Sequence, residues 1–103
     1  MDSFKFEWDE NKNRINLKKH HISFYEAKSV FYDEDAILFD DPDHSTINEN
    51  RFLIIGFSEK ARCLIVSHCL RKSGKIIRLI SARKATRYEM KLYAELRGGN
   101  YER

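Results

Sequence analysis

Phe4-Lys5-Phe6-Glu7-Trp8 alternates apolar and polar side chains over five residues, the two-residue period of a half-buried strand. Asp9 follows as a helix N-cap. The polar run from there to about His20 predicts a first helix that meets the core through Ile15 and little else. His20-His21-Ile22 breaks that helix. Ser23-Phe24-Tyr25-Glu26 has the spacing of a capping box, and Phe24, Ala27, Val30 and Phe31 then recur at helical spacing. Asp33-Glu34-Asp35 is unfavourable at the negative end of a helix dipole, which predicts a stop near Tyr32.

Ala36–Phe39 reads as a short strand, Asp40–Ser45 as a polar loop, with a link to about Asn50. Three strands are predicted next, over Arg51–Ser58, Cys63–Arg71 and Ile76–Ala82, joined by hairpin-length turns near residues 58–61 and 72–75. The Ile-rich run 76–80 belongs in an interior or near-interior strand, since an edge would expose it. Thr86 and Glu89 repeat the capping-box spacing and open a last helix to about Arg97, stopped by Gly98-Gly99, with a flexible tail over 98–103. The order β-α-α-β-β-β-β-α, without repeat or dividing linker, predicts one α+β domain over residues 1–103. Its sheet is expected to be mainly antiparallel, with helices on one side and the other face open to solvent.

Composition bounds the class. The chain is 42% hydrophobic and 34% charged with one Pro and four Gly, a globular rather than a disordered balance. No apolar run approaches the ~20 residues of a membrane span, and the acidic, aromatic N-terminus is unlike a signal peptide, so a cytosolic protein is expected. Cys63 and Cys69 share a strand face but lie roughly 20 Å apart at ~3.3 Å per residue, too far for a bridge. Both are read as buried thiols.

The net charge of +3 conceals an asymmetry. Residues 1–59 carry seven Lys and Arg against thirteen Asp and Glu, whereas residues 60–103 carry twelve against three. A basic block is the electrostatic footprint of a polyanion partner, unless the two halves neutralise each other in the fold.

Candidate chemistry gathers at the junction Ile76–Thr86, where Ser81, Arg83 and Lys84 precede a helix N-terminus. Arg78, a cation in an apolar strand, either pairs with a carboxylate such as Glu7 or Glu49 or meets a phosphate. Four histidines are present. His68 has the strand parity of Leu64, Val66 and Leu70, so a core position competes with a chemical one. His20 follows a helix end. Asp40, Asp41, Asp43 and His44 are hard-ligand types, but an Asp-rich loop beside Pro is ordinarily a turn, and neither a metal nor a cofactor is expected.

Taken together, Phe6-Glu7-Trp8-Asp9 with Lys12, Asn16 and Lys19-His20, Ser23-Phe24 with Glu26-Ala27, Asp41-Pro42-Asp43-His44-Ser45 with Glu49 and Arg51, Gly56, and Arg78–Thr86 with Glu89 and Tyr93 resemble the BrnT-type toxins. These are the ribonuclease half of a bacterial type II toxin–antitoxin pair. One departure is His21, where that pattern has Gly after the Lys-His pair.

The resemblance implies a compact RelE-like fold and RNA cleavage that arrests translation. It also implies neutralisation by a cognate BrnA-like antitoxin with a ribbon-helix-helix DNA-binding part. Operator DNA would be bound only through the antitoxin, in a hetero-oligomer assembled by antitoxin dimerisation. Metal-independent cleavage needs a 2′-OH deprotonated, phosphorane charge stabilised and a 5′-oxygen protonated. Arg78, Arg83 and Lys84 suit the charge, with Arg51, Arg71, Arg87 and Lys19 as further RNA contacts. His68, with His44 or His20 behind it, suits the proton transfers, and Glu49 and Tyr93 are reserves. An acidic or amphipathic antitoxin segment would cover the basic half. The rival class is a non-catalytic nucleic-acid- or partner-binding module holding phosphates with the same cations.

Overall fold

The computed structural model describes residues 4–98. Strands β1 (Phe6–Glu7), β2 (Ile37–Asp40), β3 (Arg51–Phe57), β4 (Cys63–Arg71) and β5 (Ile76–Lys84) form one mixed sheet in the order β1-β5-β4-β3-β2. Helices α1 (Glu10–His20), α2 (Phe24–Ala27) and α3 (Arg87–Gly98) complete an α+β fold, with 3-10 segments at Lys28–Tyr32 and Pro42–His44. The tail beyond Gly98 lies outside the described residues.

β2 to β5 are antiparallel neighbours, while β1 runs parallel to β5, with Phe6 opposite Ile77 and Glu7 opposite Arg78. β5 is therefore interior where β1 covers it. Beyond that point its edge belongs to α1. Asn16 donates to the Ala82 carbonyl (2.8 Å) and accepts from the Ala82 N–H (3.0 Å), so one carboxamide stands in for a neighbouring strand. The same side chain donates to the Ile22 carbonyl at 2.8 Å, and Asn13 accepts from the Phe24 N–H at 2.8 Å. This corrects the expected apolar stripe: Ile15 and Leu17 are exposed, and α1 docks through two buried amides.

Cap residues act largely as their spacing predicts. Asp9 accepts from the Asn11 N–H, and Thr86 and Glu89 exchange side-chain and backbone bonds at 3.1 and 2.8 Å. Ser23 caps α2, but Glu26 does not return the bond. Its carboxylate, 2% exposed, accepts from Ser58 Oγ at 2.6 Å and from two nitrogens of Arg62, tying α2 to the β3–β4 hairpin. Burial works to raise the Glu26 carboxyl, yet the Arg62 and Ser58 bonds outweigh it and hold the group below the usual range. His21 takes the left-handed conformation (φ 62°) that Gly would adopt freely, and its N–H closes α1 on the Leu17 carbonyl.

The helices do not all lie on one side. Ile22, Phe24, Ala27 and Val30 pack on one sheet face against Ile54, Leu64, Val66, Ile77, Leu79 and Ala82. On the other face Tyr93 of α3 closes a smaller cluster with Ile55, Cys63 and Ile65. The reason is legible in the strands: Leu53-Ile54-Ile55 and Cys63-Leu64-Ile65-Val66 are continuous apolar runs that need cover on both faces. α3 lies mainly over the β2–β3 side, reaching β4 through Tyr93 and β5 through Glu89. The rest of that face is open, and the site lies there.

Gly56 permits a close approach on β3, since a Cβ there would meet Asp33 Oδ2 at 2.9 Å. That oxygen accepts from the Phe57 N–H and the Tyr93 hydroxyl, both at 2.8 Å.

The charge asymmetry is partly spent inside the molecule. Glu7–Arg78, Glu26–Arg62, Asp35–Arg97 and Glu49–Arg71 each join the acidic half to the basic one. Both cysteines are free and buried, and burial pushes both thiols up.

Candidate functional site

A bulge in β5 creates the site. Ser67 of β4 faces Ser81 and His68 faces Leu79, which leaves Ile80 as the extra residue. Strict alternation from Arg78 would turn Ser81 and Arg83 toward the helix-covered core. The extra residue restores them to the open face, beside Ser67 and Ile65. The phase shift shows in the burial of Ile77, Leu79 and then Ala82, with a step of two followed by a step of three. Arg83 is thus a strand residue, not a turn residue as its sequence neighbours suggest.

On this open face is a cavity of about 280 Å³. Its floor is Leu53, Ile65, Ser67, Ile80 and Ser81; its charged and titratable rim is His20, Asp41, His44, Arg51 and Arg83. His20 arrives from the last turn of α1, placed by the Asn16–Ala82 bonds one helical turn earlier. His44 comes from the 3-10 turn that Pro42 opens. Its Nδ1 lies 3.1 and 3.0 Å from the two Asp41 oxygens. An ionised carboxylate only accepts, so Nδ1–H donates, and Nε2 carries the lone pair of the neutral ring.

Both rim arginines are held by carboxylates. Arg51 Nε donates to Glu49 at 3.0 Å. Arg83 makes a two-pronged pair with Glu89, at 2.8 and 2.9 Å. That pairing lowers the Glu89 carboxyl to about 2 and raises the Arg83 guanidinium. A guanidinium has five N–H donors, so these contacts orient it and leave donors for an anion.

The other sequence candidates fall elsewhere. His68 is 3% exposed on the covered face, edge-on to Phe31 (4.8 Å) and near Phe52, with Nδ1 3.2 Å from the Val66 carbonyl. Burial pulls its pKa down. It is a core histidine, as its parity with Leu64 and Val66 allows, and it is separated from the cavity by the sheet. Arg78 takes the structural option, bonding Glu7 at 2.8 Å. Glu49 bridges Arg51 and Arg71 and accepts from the Cys69 thiol at 3.7 Å. Tyr93 is buried, and burial and its bond to Asp33 push its hydroxyl up. Lys84 and Arg87 are exposed outside the cavity lining, and Lys19 lies on α1 next to His20.

Ser67 joins the site without having been singled out; Ser81 was named only as part of the Ile76–Thr86 junction, and Asp41 only as a hard-ligand type in a turn. The signal for Asp41 was its position three before His44 across a Pro-started turn. Among the described residues no group of three or more His, Cys, Asp or Glu side chains is placed to hold a metal ion. No helix among them is long and apolar enough to cross a membrane.

Fold and cavity together define a small α+β protein with paired imidazoles and carboxylate-held arginines on a half-covered sheet, a set of groups suited to a phosphodiester. The family described as ribonuclease toxin, BrnT, of type II toxin-antitoxin systems matches residues 8–89, and the chain belongs to that family. The 1.1 Å crystal structure of the Brucella abortus ribonuclease toxin BrnT is similar in fold. Its TM-score is 0.61, over 82% of this chain and 100% of that one, at 22% identity. No curated protein matches the chain.

Proposed function

We propose that this member of the ribonuclease toxin family is a metal-independent endoribonuclease whose active site is the open-face cavity. His44, oriented by Asp41, takes the proton of an RNA 2′-OH. The 2′-oxygen attacks the adjacent phosphorus, and the P–O5′ bond breaks as His20 gives a proton to the leaving oxygen. The products are a 2′,3′-cyclic phosphate and a 5′-OH end. Arg51 and Arg83 face the non-bridging oxygens, whose charge grows in the transition state. The convergence of His20, His44, Arg51 and Arg83 on one cavity carries this reading.

In the same reading the fold is RelE-like and the protein works in the cytoplasm, where cleavage arrests translation. A BrnA-like ribbon-helix-helix antitoxin neutralises it and brings the pair to operator DNA as a hetero-oligomer. The test is incubation of purified protein with RNA in excess EDTA, followed by end-group analysis. Cyclic phosphate ends that disappear in His44→Ala support the mechanism. Activity lost in EDTA and restored by a divalent metal rejects it.

A further inference from the structure

Lys12, Ile15, Asn16, Lys19 and His20 are spaced i, i+3, i+4, i+7 and i+8, one stripe of α1 turned toward the edge of β5. With Ile80 and Ser81 they line a second groove, of about 180 Å³. His20, Ile80 and Ser81 border both this groove and the cavity, so the two form one continuous trough.

The two ends of the trough differ in charge. In the cavity Arg51 and Arg83 are bound to carboxylates. In the groove Lys12 and Lys19 form no ion pair and no side-chain hydrogen bond among the described residues. They stand two turns apart, roughly 10 Å along the helix at ~1.5 Å per residue. Between them Ile15 is 57% exposed, one of two apolar side chains, with Leu17, on a helix whose buried hydrogen bonds are made by amides.

We propose that this groove is a subsite for single-stranded RNA flanking the scissile phosphate. Lys12 and Lys19 neutralise backbone phosphates, and Ile15 with Ile80 supports a base. This deepens the proposed function and rests on it for the direction of the strand, which leaves the cavity over His20 and Ser81. RNA is favoured over an acidic protein segment because the groove is continuous with the cavity and shares a proposed proton donor with it. Of the Lys and Arg side chains lining the trough, Lys12 and Lys19 are the two not committed to carboxylates among the described residues.

The test uses binding as well as cleavage. In a His44→Ala background, anisotropy of a labelled random-sequence single-stranded RNA is followed across a salt series. Adding Lys12→Ala and Lys19→Ala should weaken binding about tenfold and make the slope of log K against log salt shallower by about 1.4, the loss of two single-strand phosphate contacts. Lys72→Ala, in the β4–β5 turn, should leave the slope unchanged. In the otherwise wild-type protein the two substitutions should raise KM for long RNA and leave kcat unchanged. Cleavage of dinucleoside monophosphates, which carry no phosphate besides the scissile one for Lys12 and Lys19 to hold, should be unaffected.

Unchanged RNA binding overturns the proposal, as does an equal loss in Lys72→Ala. So does a loss of antitoxin affinity with RNA affinity intact, which would make the groove a protein-docking surface. If wild-type protein binds RNA with the expected lysine dependence but never cleaves it, the proposed reaction fails while the groove stands as an RNA-binding site.

Discussion

Asn16 and Ala82, sixty-six residues apart, share a reciprocal pair of hydrogen bonds in which a side-chain amide replaces a strand. Removing the amide leaves a buried N–H and C=O without partners, at ~1–3 kcal/mol for each unsatisfied group. Asn16→Ala should lose about 2–4 kcal/mol in a denaturant titration, with an unchanged m-value. Since α1 carries His20, RNA cleavage should fall in the fraction that remains folded. A destabilisation under ~0.5 kcal/mol would show that water or a neighbour replaces the amide.

The two cavity histidines should be separable from stability. His20→Ala and His44→Ala are each expected to reduce cleavage by ~10²–10⁴. Melting temperatures should stay near wild type for His44, which is exposed. Asp41→Asn keeps the shape of the turn but replaces a carboxylate that stabilises the imidazolium, so a smaller loss in kcat with little change in RNA affinity is expected. Wild-type rates in both alanine variants would move the chemistry off this cavity.

His68 gives the opposite expectation. His68→Phe should cleave RNA at close to the wild-type rate. Burial lowers the folded pKa of this ring below its ordinary 6.5, so below that pH the unfolded chain binds a proton that the native state refuses. Wild-type stability therefore contains a contribution that declines as pH falls from about 6.5, and the Phe variant should lack this slope. The check is a set of denaturant midpoints from pH 7.5 to pH 5 for both proteins.

Glu89 governs a lower window. Its folded pKa of about 2 lies under the ordinary 4.5, so its pairing with Arg83 stabilises the fold fully above about pH 4.5 and is lost as pH falls toward 2. Glu26 and Asp33, also lowered despite burial, act in the same direction. Glu89→Gln should flatten the acid limb of a melting-temperature profile. It should also lower activity at neutral pH, because Arg83 loses the fork that orients it. A profile superimposable on wild type would mean that the pair contributes nothing beyond its geometry.

His21→Gly should stabilise by up to ~1 kcal/mol, because the left-handed cap costs a side-chain-bearing residue about 1–2 kcal/mol and the exposed ring makes little packing return. Loss of stability instead would reveal a contact made by the ring.

Local chemistry was what the sequence displayed best. Asp9, the Thr86–Glu89 box, both hairpin turns and the succession of strands follow from side chains acting within a few residues of themselves. The errors are long-range. The polar face of α1 becomes intelligible as a docking surface only when Asn13 and Asn16 meet Phe24 and Ala82. Glu26 looked like half of a capping box because its partners, Ser58 and Arg62, are more than thirty residues away. The cavity was half legible: Arg83, His20, His44 and Arg51 were named, but the leading histidine was misplaced. Parity already grouped His68 with the core face. The device that brings Ser81 and Arg83 to the other face is a single inserted residue, recognisable only once the facing strand gives the register.

β1 and α1 both dock on β5, the last of the described strands along the chain, and this orders events at the ribosome. Until residue 84 has left the exit tunnel, Phe6 and Glu7 have no strand to join and Asn16 has no backbone to bind. His20 then has no fixed relation to Ser81 or Arg83. A nascent or truncated chain ending in the β4–β5 turn therefore lacks half of the cavity wall, whatever its helices have already formed. Vectorial synthesis would thus delay the assembled cavity until nearly all of the described chain exists. Such non-local closure is also a slow step for a chain of this length.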